Sequence, residues 1–171
     1  MLVIRLSIVL GCLLLPAATA GSGDYARHVS PEKIEGNRAG RVLLKPRSDL
    51  SKRIERFARK HGAGDRAPEI ADVLATCDHP RVLAAIAARE SRFDLHARGR
   101  AGEIGAYQIM PHQWGHPGHT WSSQTRSAER ILDELVDASG GRLALAVRRY
   151  NGAGANAEQY SKHVLALANS I

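Results

Sequence analysis

The sequence predicts a mainly α-helical single domain with at most a small β-hairpin. From residue 49 to residue 168, most segments repeat apolar residues at intervals of three and four, which is the spacing along one face of a helix. Glycine and proline stand at the boundaries of these segments, where helices begin and end. With 171 residues, the chain is long enough to enclose one hydrophobic core.

The N-terminus has the pattern of a secretory signal peptide. Arg5 precedes an apolar run at residues 6–15, and residues 18–20 form an Ala-x-Ala cleavage site. We therefore interpret residues 1–20 as a signal peptide and expect an exported protein that is periplasmic or associated with the cell wall. Cys12 leaves a lipoprotein signal open as an alternative.

Two regions follow the signal peptide. Residues 21–47 contain Gly, Ser, Pro and scattered charges, so we expect an irregular lead-in. Residues 48–171 carry the helical pattern and form the predicted folded domain. Its first helix spans residues 49–61 and ends at Gly62, which suits the left-handed position after a helix. The apolar face of this helix consists of Leu50, Ile54, Phe57 and Ala58.

A second helix begins with Pro68 at its first position. Its apolar residues are Ile70, Val73, Leu74 and Cys77. A third helix follows, with Asp78 as its N-cap and Pro80 in its first turn, and it carries Glu90.

Glu90 stands seven residues after Leu83 and four after Ile86, so the three share one helix face. A carboxylate at the end of an apolar face is disfavoured in its ionised form, which predicts a raised pKa for Glu90. A carboxyl group with a raised pKa is suited to general acid catalysis. The alternative is a Glu90 side chain that extends into solvent at the end of the helix.

The second half of the domain contains a loop and three further helices. Residues 94–104 form the predicted loop, with a short hairpin at 104–109 and one helical turn at 110–114. A fourth helix has Ser123 as its cap and ends at Gly140-Gly141. The last two helices span about residues 142–149 and 155–168.

Three short motifs follow one another at fixed separations. Glu90-Ser91 is followed by Gly-x-x-Gln-Ile-Met-Pro at residues 105–111 and then by Tyr150-Asn151. In this order and spacing, the set resembles the lytic transglycosylases of the soluble-lytic-transglycosylase (goose-lysozyme-like) type. The resemblance covers about residues 82–167. It implies a lysozyme-like fold and makes residues 48–171 the catalytic domain.

The resemblance also implies a reaction and a set of residues. Such enzymes cleave the β-1,4 bond between N-acetylmuramic acid and N-acetylglucosamine in peptidoglycan and form 1,6-anhydromuramic acid. Glu90 would be the single general acid and base, because the substrate's acetamido group replaces a second carboxylate. The residues predicted to bind substrate are Ser91, Gln108, Met110, Tyr150 and Asn151. For Ser91 and Met110, the alternatives are a hydroxyl that ends the helix and a core side chain.

The sequence departs from the family pattern in three places. Gly99 stands nine residues after Glu90, where a serine is common, which puts one substrate hydrogen bond in doubt. Ala106-Tyr107 replaces the usual Leu-Met, and Arg149 replaces the usual Ala before Tyr150. The last two departures predict a cleft with a different shape and a more basic lining.

Two other acidic residues are candidates for a second carboxylate. Asp94 lies four residues after Glu90, where the helix should end, and turn formation is its expected role. Glu103 lies in the loop and either lines the cleft or is a surface charge. We therefore expect a mechanism with one acid.

Composition limits the partners and the cofactors. The formal net charge of +7 favours anionic partners, which outside the cytoplasm are wall polymers and membrane surfaces. Aromatic residues are few and are not interleaved with basic ones, so we expect no nucleic acid to bind. His112, His116 and His119 lack the spacing of a metal site, and we expect no cofactor.

Three readings of the function remain open. The favoured reading is a transglycosylase that acts on peptidoglycan glycan strands, locally, for a secretion, pilus or conjugation complex that spans the envelope. A lysozyme-type muramidase would use the same site with water. A non-catalytic peptidoglycan-binding module would lack the acid, whereas Glu90, Gln108 and Tyr150 are all present.

Overall fold

The computed structural model describes residues 47–171. The predicted signal peptide and most of the predicted lead-in lie outside these residues. The described part contains seven α-helices: α1 (Asp49–Ala58), α2 (Ala67–Leu74), α3 (Pro80–Glu90), α4 (Pro111–Trp114), α5 (Trp121–Asp137), α6 (Leu143–Tyr150) and α7 (Ala155–Asn169). None of the described helices is long and apolar enough to cross a membrane.

Helix α1 begins as its sequence suggests and ends in an unusual way. Ser48 caps it by accepting a hydrogen bond from the Ser51 N–H at 3.1 Å. A π-helical segment, Arg59–Ala63, follows directly and contains Gly62 at φ +114°. A 3₁₀ turn, Gly64–Arg66, then leads into α2. The predicted left-handed role of Gly62 is confirmed, but the helical path continues around it.

Helix α3 is the central element of the domain. All of its residues from Val82 to Ala88 are buried, and it packs against α1, α2, α5 and α7. Several of its buried residues are alanines, and these small side chains allow the neighbouring helices to pack close to the α3 backbone. Helices α5, α6 and α7 pack in succession, and α1 packs against α2.

Two predicted caps are wrong. The N-cap of α3 is His79 and not Asp78, and it makes no side-chain cap bond. Helix α5 starts two residues before Ser123, with Thr120 as its N-cap. Ser123 is instead the third helical residue of a capping box, in which its hydroxyl and the Thr120 hydroxyl each accept the other residue's N–H. The predicted extension of α2 to Cys77 is also wrong, since α2 ends at Leu74.

The predicted hairpin is present in minimal form. Isolated antiparallel bridges join Arg98 to Ile104 and Ile104 to Ile109. No longer strand occurs in the part of the chain that the structure describes. The mainly α fold class with a small β element, consistent with a lysozyme-like domain, is therefore confirmed.

Candidate active site

Glu90 is the last residue of α3, and the helix behind it is enclosed by the core. Leu83 and Ile86, the two residues predicted to share its face, are fully buried. Glu90 itself is half-buried. A carboxyl group is thus carried at the end of a helix whose position is set by packing on all sides.

The chain turns sharply after Glu90. Arg92 and Phe93 both have left-handed backbone conformations, with φ of +59° and +64°. Such conformations cost about 1–3 kcal/mol each in non-glycine residues. The Phe93 ring is buried, with its centroid 6.4 Å from that of Phe57 and 6.2 Å from that of Trp121. Burial of this ring offsets the strain and holds the turn in place.

Ser91 ties the end of α3 to the hairpin. Its hydroxyl donates to the Ala106 carbonyl at 2.8 Å and accepts from the Asp94 N–H at 3.0 Å. These two bonds use the hydroxyl proton and one oxygen lone pair. The structure thus gives Ser91 a positioning contact, and substrate binding by its remaining lone pair stays a prediction.

Gln124 in α5 is a site-supporting residue that the sequence analysis missed. It is 2% exposed, and its Oε1 accepts from the Ala106 N–H at 2.8 Å. Its Nε2 donates to the carbonyls of Leu95 and Gly118, at 3.1 and 3.2 Å. A single side chain therefore joins three separate segments around the hairpin. The available signal was a polar residue four positions before Ala128, on the core face of α5.

Tyr150, the last residue of α6, lies close to Glu90. Its hydroxyl donates to the Tyr107 carbonyl at 3.2 Å. Burial, and then the negative charge of Glu90, raise the pKa of Tyr150 well above its usual value. The Glu90 charge therefore acts on the Tyr150 hydroxyl, and a direct contact between the two side chains stays a prediction.

Gln108 and Glu103 meet beside Gly99. Gln108 has a left-handed backbone with φ of +48°, and its Nε2 donates to the Gly105 carbonyl at 2.9 Å. Glu103 Oε2 accepts from the Ala101 N–H at 3.0 Å. A Cβ at Gly99 would overlap this carboxylate and lie 2.7 Å from Gln108 Oε1. The Glu103 carboxylate thus fills the space that a side chain at position 99 would take.

Two residues that depart from the family pattern make structural contacts in this domain. The Tyr107 side chain is fully buried, where its hydroxyl is 2.9 Å from Thr125 Oγ1. The Arg149 guanidinium donates to the Ala138 carbonyl at 2.7 Å and to Ser139 Oγ at 3.1 Å. The Tyr107 side chain is therefore excluded from the surface, whereas the Arg149 guanidinium is exposed and held against the end of α5, and a more basic cleft stays a prediction.

The remaining candidate residues are Met110 and Asn151, each next to the end of a helix. Met110 is half-buried and precedes α4 as its N-cap residue. Asn151 is exposed and follows α6 as its C-cap residue. Among the described residues, neither side chain forms a hydrogen bond, and their contact with substrate stays a prediction.

Of the three histidines considered as metal ligands, His112 belongs to α4, and His116 and His119 lie near each other in the loop that follows. The ring centroids of His116 and His119 are 4.8 Å apart, and His116 Nδ1 accepts from the Gly118 N–H at 3.0 Å. Within residues 47–171, no group of three or more His, Cys, Asp or Glu side chains is arranged to hold a metal ion.

Comparison with known proteins gives one match. A family model described as "Transglycosylase SLT domain" matches residues 74–169, more than half of the chain, and this segment contains every candidate site residue. No curated protein and no solved structure matches the chain. The match confirms the resemblance to lytic transglycosylases of the goose-lysozyme-like type. The chain belongs to the transglycosylase SLT domain family.

Proposed function

We propose that this chain cleaves the β-1,4 bond between N-acetylmuramic acid and N-acetylglucosamine, with Glu90 as its general acid and base. Family membership indicates a lytic transglycosylase that acts on peptidoglycan. The position of Glu90 supports the finer assignment. This carboxyl group ends a buried helix and is close enough to Tyr150 to raise the pKa of its hydroxyl.

The proposed reaction has two steps. In the first, Glu90 gives its proton to the glycosidic oxygen as the bond from that oxygen to the anomeric carbon breaks, and the acetamido oxygen of the muramyl residue attacks the anomeric carbon. In the second, the 6-hydroxyl oxygen displaces the acetamido oxygen while Glu90 takes the hydroxyl proton. The acid is restored, no water is consumed, and the product carries a 1,6-anhydro ring.

This mechanism needs only one carboxyl group from the protein. Asp94 is exposed and its carboxylate accepts from the His96 N–H at 2.8 Å, which is the turn contact predicted for it. Gln108, Met110, Tyr150 and Asn151 are the proposed substrate contacts. Tyr150 can donate because its phenol is protonated at neutral pH, and its raised pKa keeps it so at higher pH.

The test is Glu90→Gln, which is nearly isosteric but cannot transfer the proton. We expect cleavage of purified peptidoglycan to fall by about 10²–10⁴-fold, the usual contribution of acid–base catalysis. Binding to the polymer and the melting temperature should be retained. The control is Glu69→Gln, which makes the same charge change at an exposed position in the first turn of α2.

The products separate the candidate functions. Mass spectrometry of the released muropeptides should find anhydro ends, whereas reducing ends would identify a muramidase. Near-normal cleavage by the Glu90→Gln variant would refute the assignment. A wild-type protein that binds the polymer without cleaving it would be a binding module.

We also propose that the protein is exported and opens the wall locally for a secretion, pilus or conjugation complex. Support comes from the signal-peptide pattern of residues 1–20 and from the small size of the domain. A deletion strain with reduced bulk wall turnover but with every such complex intact would contradict the local role.

A further inference from the structure

We propose that Glu103 is a substrate-binding residue, which together with Gln108 accepts hydrogen bonds from donor groups of one sugar of the glycan. The inference rests on the proposed function and extends it to a residue for which the family pattern gives no role. The observation that supports the inference is that the Glu103 and Gln108 side chains lie next to each other beside Gly99.

The two side chains present oxygen atoms to the same small region. Gln108 Nε2 is used by the Gly105 carbonyl, which turns Oε1 of the same amide toward Gly99. Glu103 Oε2 is held there by the Ala101 N–H. Two acceptors that face one region repel each other unless a donor lies between them. Hydroxyl and acetamide N–H groups of a sugar supply such donors.

The pair has unused hydrogen-bonding capacity. Among the described residues, none donates a hydrogen bond to Gln108 Oε1 or to the second oxygen of Glu103. The Glu103 carboxylate also forms no ion pair within residues 47–171, although Arg98 and Arg100 flank the same turn. Both side chains are half-buried, so a ligand can reach them.

The pair is attached to the neighbourhood of Glu90 through the backbone. The Ala106 carbonyl accepts from Ser91, which follows Glu90, and the Tyr107 carbonyl accepts from Tyr150. Gln108 is the next residue. The hairpin backbone therefore fixes the Glu103–Gln108 pair relative to the end of α3, and the proposal has one glycan strand contact both places.

Gly99 makes room for this arrangement. Its backbone is not in the left-handed region, so a larger residue is excluded by the Glu103 and Gln108 side chains and not by backbone strain. A side chain at position 99 and the observed Glu103 conformation exclude each other. This supplies a second variant that removes the carboxylate from its place without changing Glu103 itself.

The experiment measures binding of peptide-free peptidoglycan glycan strands in the Glu90→Gln background, where the strands are not cleaved. We expect Glu103→Ala to weaken binding about tenfold, the effect of losing hydrogen bonds to a charged group. Glu103→Gln should also weaken it, because the introduced amide donates to Gln108 Oε1 and closes the site. Gly99→Ala, whose Cβ overlaps the Glu103 carboxylate without adding a hydroxyl, should match Glu103→Ala, and combining these two changes should cause no further loss.

Controls keep the outcomes distinct. Glu69→Gln should bind like the parent, and the melting temperature of Glu103→Gln should be retained or raised, because its amide gains a hydrogen bond to Gln108 Oε1. If the parent binds and the Glu103 variants bind equally well, the inference is wrong and the proposed function stands. If the parent does not bind glycan strands, the proposed function fails, and the inference fails with it.

Discussion

The Tyr150 hydroxyl is one of two side-chain donors, with Ser91, that link the hairpin to the neighbourhood of Glu90. It donates to the Tyr107 carbonyl, and the charge of Glu90 contributes to its raised pKa. A tyrosine is protonated at neutral pH even with its ordinary pKa of about 10, and the raised pKa extends the range in which this phenol is a donor. Its proton can therefore serve the carbonyl, the carboxylate or a bound sugar.

We predict that Tyr150→Phe lowers the turnover number for peptidoglycan with a small loss of stability. The lost hydrogen bond contributes about 0.5–1.5 kcal/mol to the free energy of unfolding. Steady-state kinetics and thermal unfolding provide the two measurements.

Tyr107→Phe is the matched control for this prediction. It removes the hydroxyl that contacts Thr125 in the core, away from the surface. It should reduce stability and leave turnover unchanged. If the two variants lose stability equally and Tyr150→Phe keeps normal turnover, Tyr150 has only a packing role.

At the level of elements, the π-helical segment after α1 supports the turn that follows Glu90. A Cβ at Gly62 would lie 2.9 Å from the Arg92 carbonyl oxygen and 3.2 Å from Arg92 Cβ. The backbone of the segment thus rests directly on the strained residue two positions after Glu90. His61 lies in the same segment. Burial, and then the positive charges of Lys60, Arg92 and His163, lower the pKa of the His61 imidazole and favour its neutral form.

We predict that Gly62→Ala lowers both stability and turnover. The added methyl group pushes Arg92 away, and alanine at φ +114° is itself strained by more than about 1 kcal/mol. Displacement of Arg92 should move Glu90 relative to Tyr150. Chemical unfolding and peptidoglycan cleavage report the two effects.

The Gly64→Ala variant distinguishes the effect of the Arg92 contact from the effect of backbone strain. Gly64 also has a positive φ, +56°, but a Cβ there would meet nothing within 4 Å. We expect Gly64→Ala to lose stability without a loss of turnover in the folded fraction. Equal turnover of the two variants would show that the Gly62 contact does not position Glu90.

At the scale of the whole molecule, the domain joins a central buried helix to a hairpin through hydrogen bonds from several elements. Helix α3 supplies Glu90, its C-cap residue is Ser91, α5 supplies Gln124, and α6 supplies Tyr150. The hairpin has only two isolated bridges of its own, so these side chains stabilise it. Its conformation therefore depends on the assembled domain.

The export proposal also belongs to this scale. If residues 1–20 are removed by a signal peptidase, N-terminal sequencing of the mature protein should begin at Gly21. The formal net charge would then be +6, since Arg5 is lost from a chain of +7. A mature chain that retains Met1, or that starts at a lipid-modified Cys12, would overturn this prediction.

Much of the fold could be predicted from the sequence because its signals are local. Apolar spacing located the helices, and Pro80 and Gly140-Gly141 marked where two of them begin or end. The caps were harder, since Asp78 and Ser123 are good capping residues that lie next to other candidates. Helix α5 begins at Trp121, whose side chain is buried in the core. Thr120, the residue before it, is therefore the N-cap.

The sequence by itself determined the helical class, the family and the position of Glu90 at the end of α3, because periodicity and motif spacing are properties of the chain order. Only the tertiary structure decided that the Tyr107 side chain is buried in the core and that Arg149 donates hydrogen bonds at the end of α5. It also decided that Gln124 holds the hairpin and that Glu103 occupies the space beside Gly99. These contacts join residues up to 29 positions apart, as in the bond from Gln124 to the Leu95 carbonyl. Which distant groups meet depends on how the helices pack, and packing is a property of the whole domain.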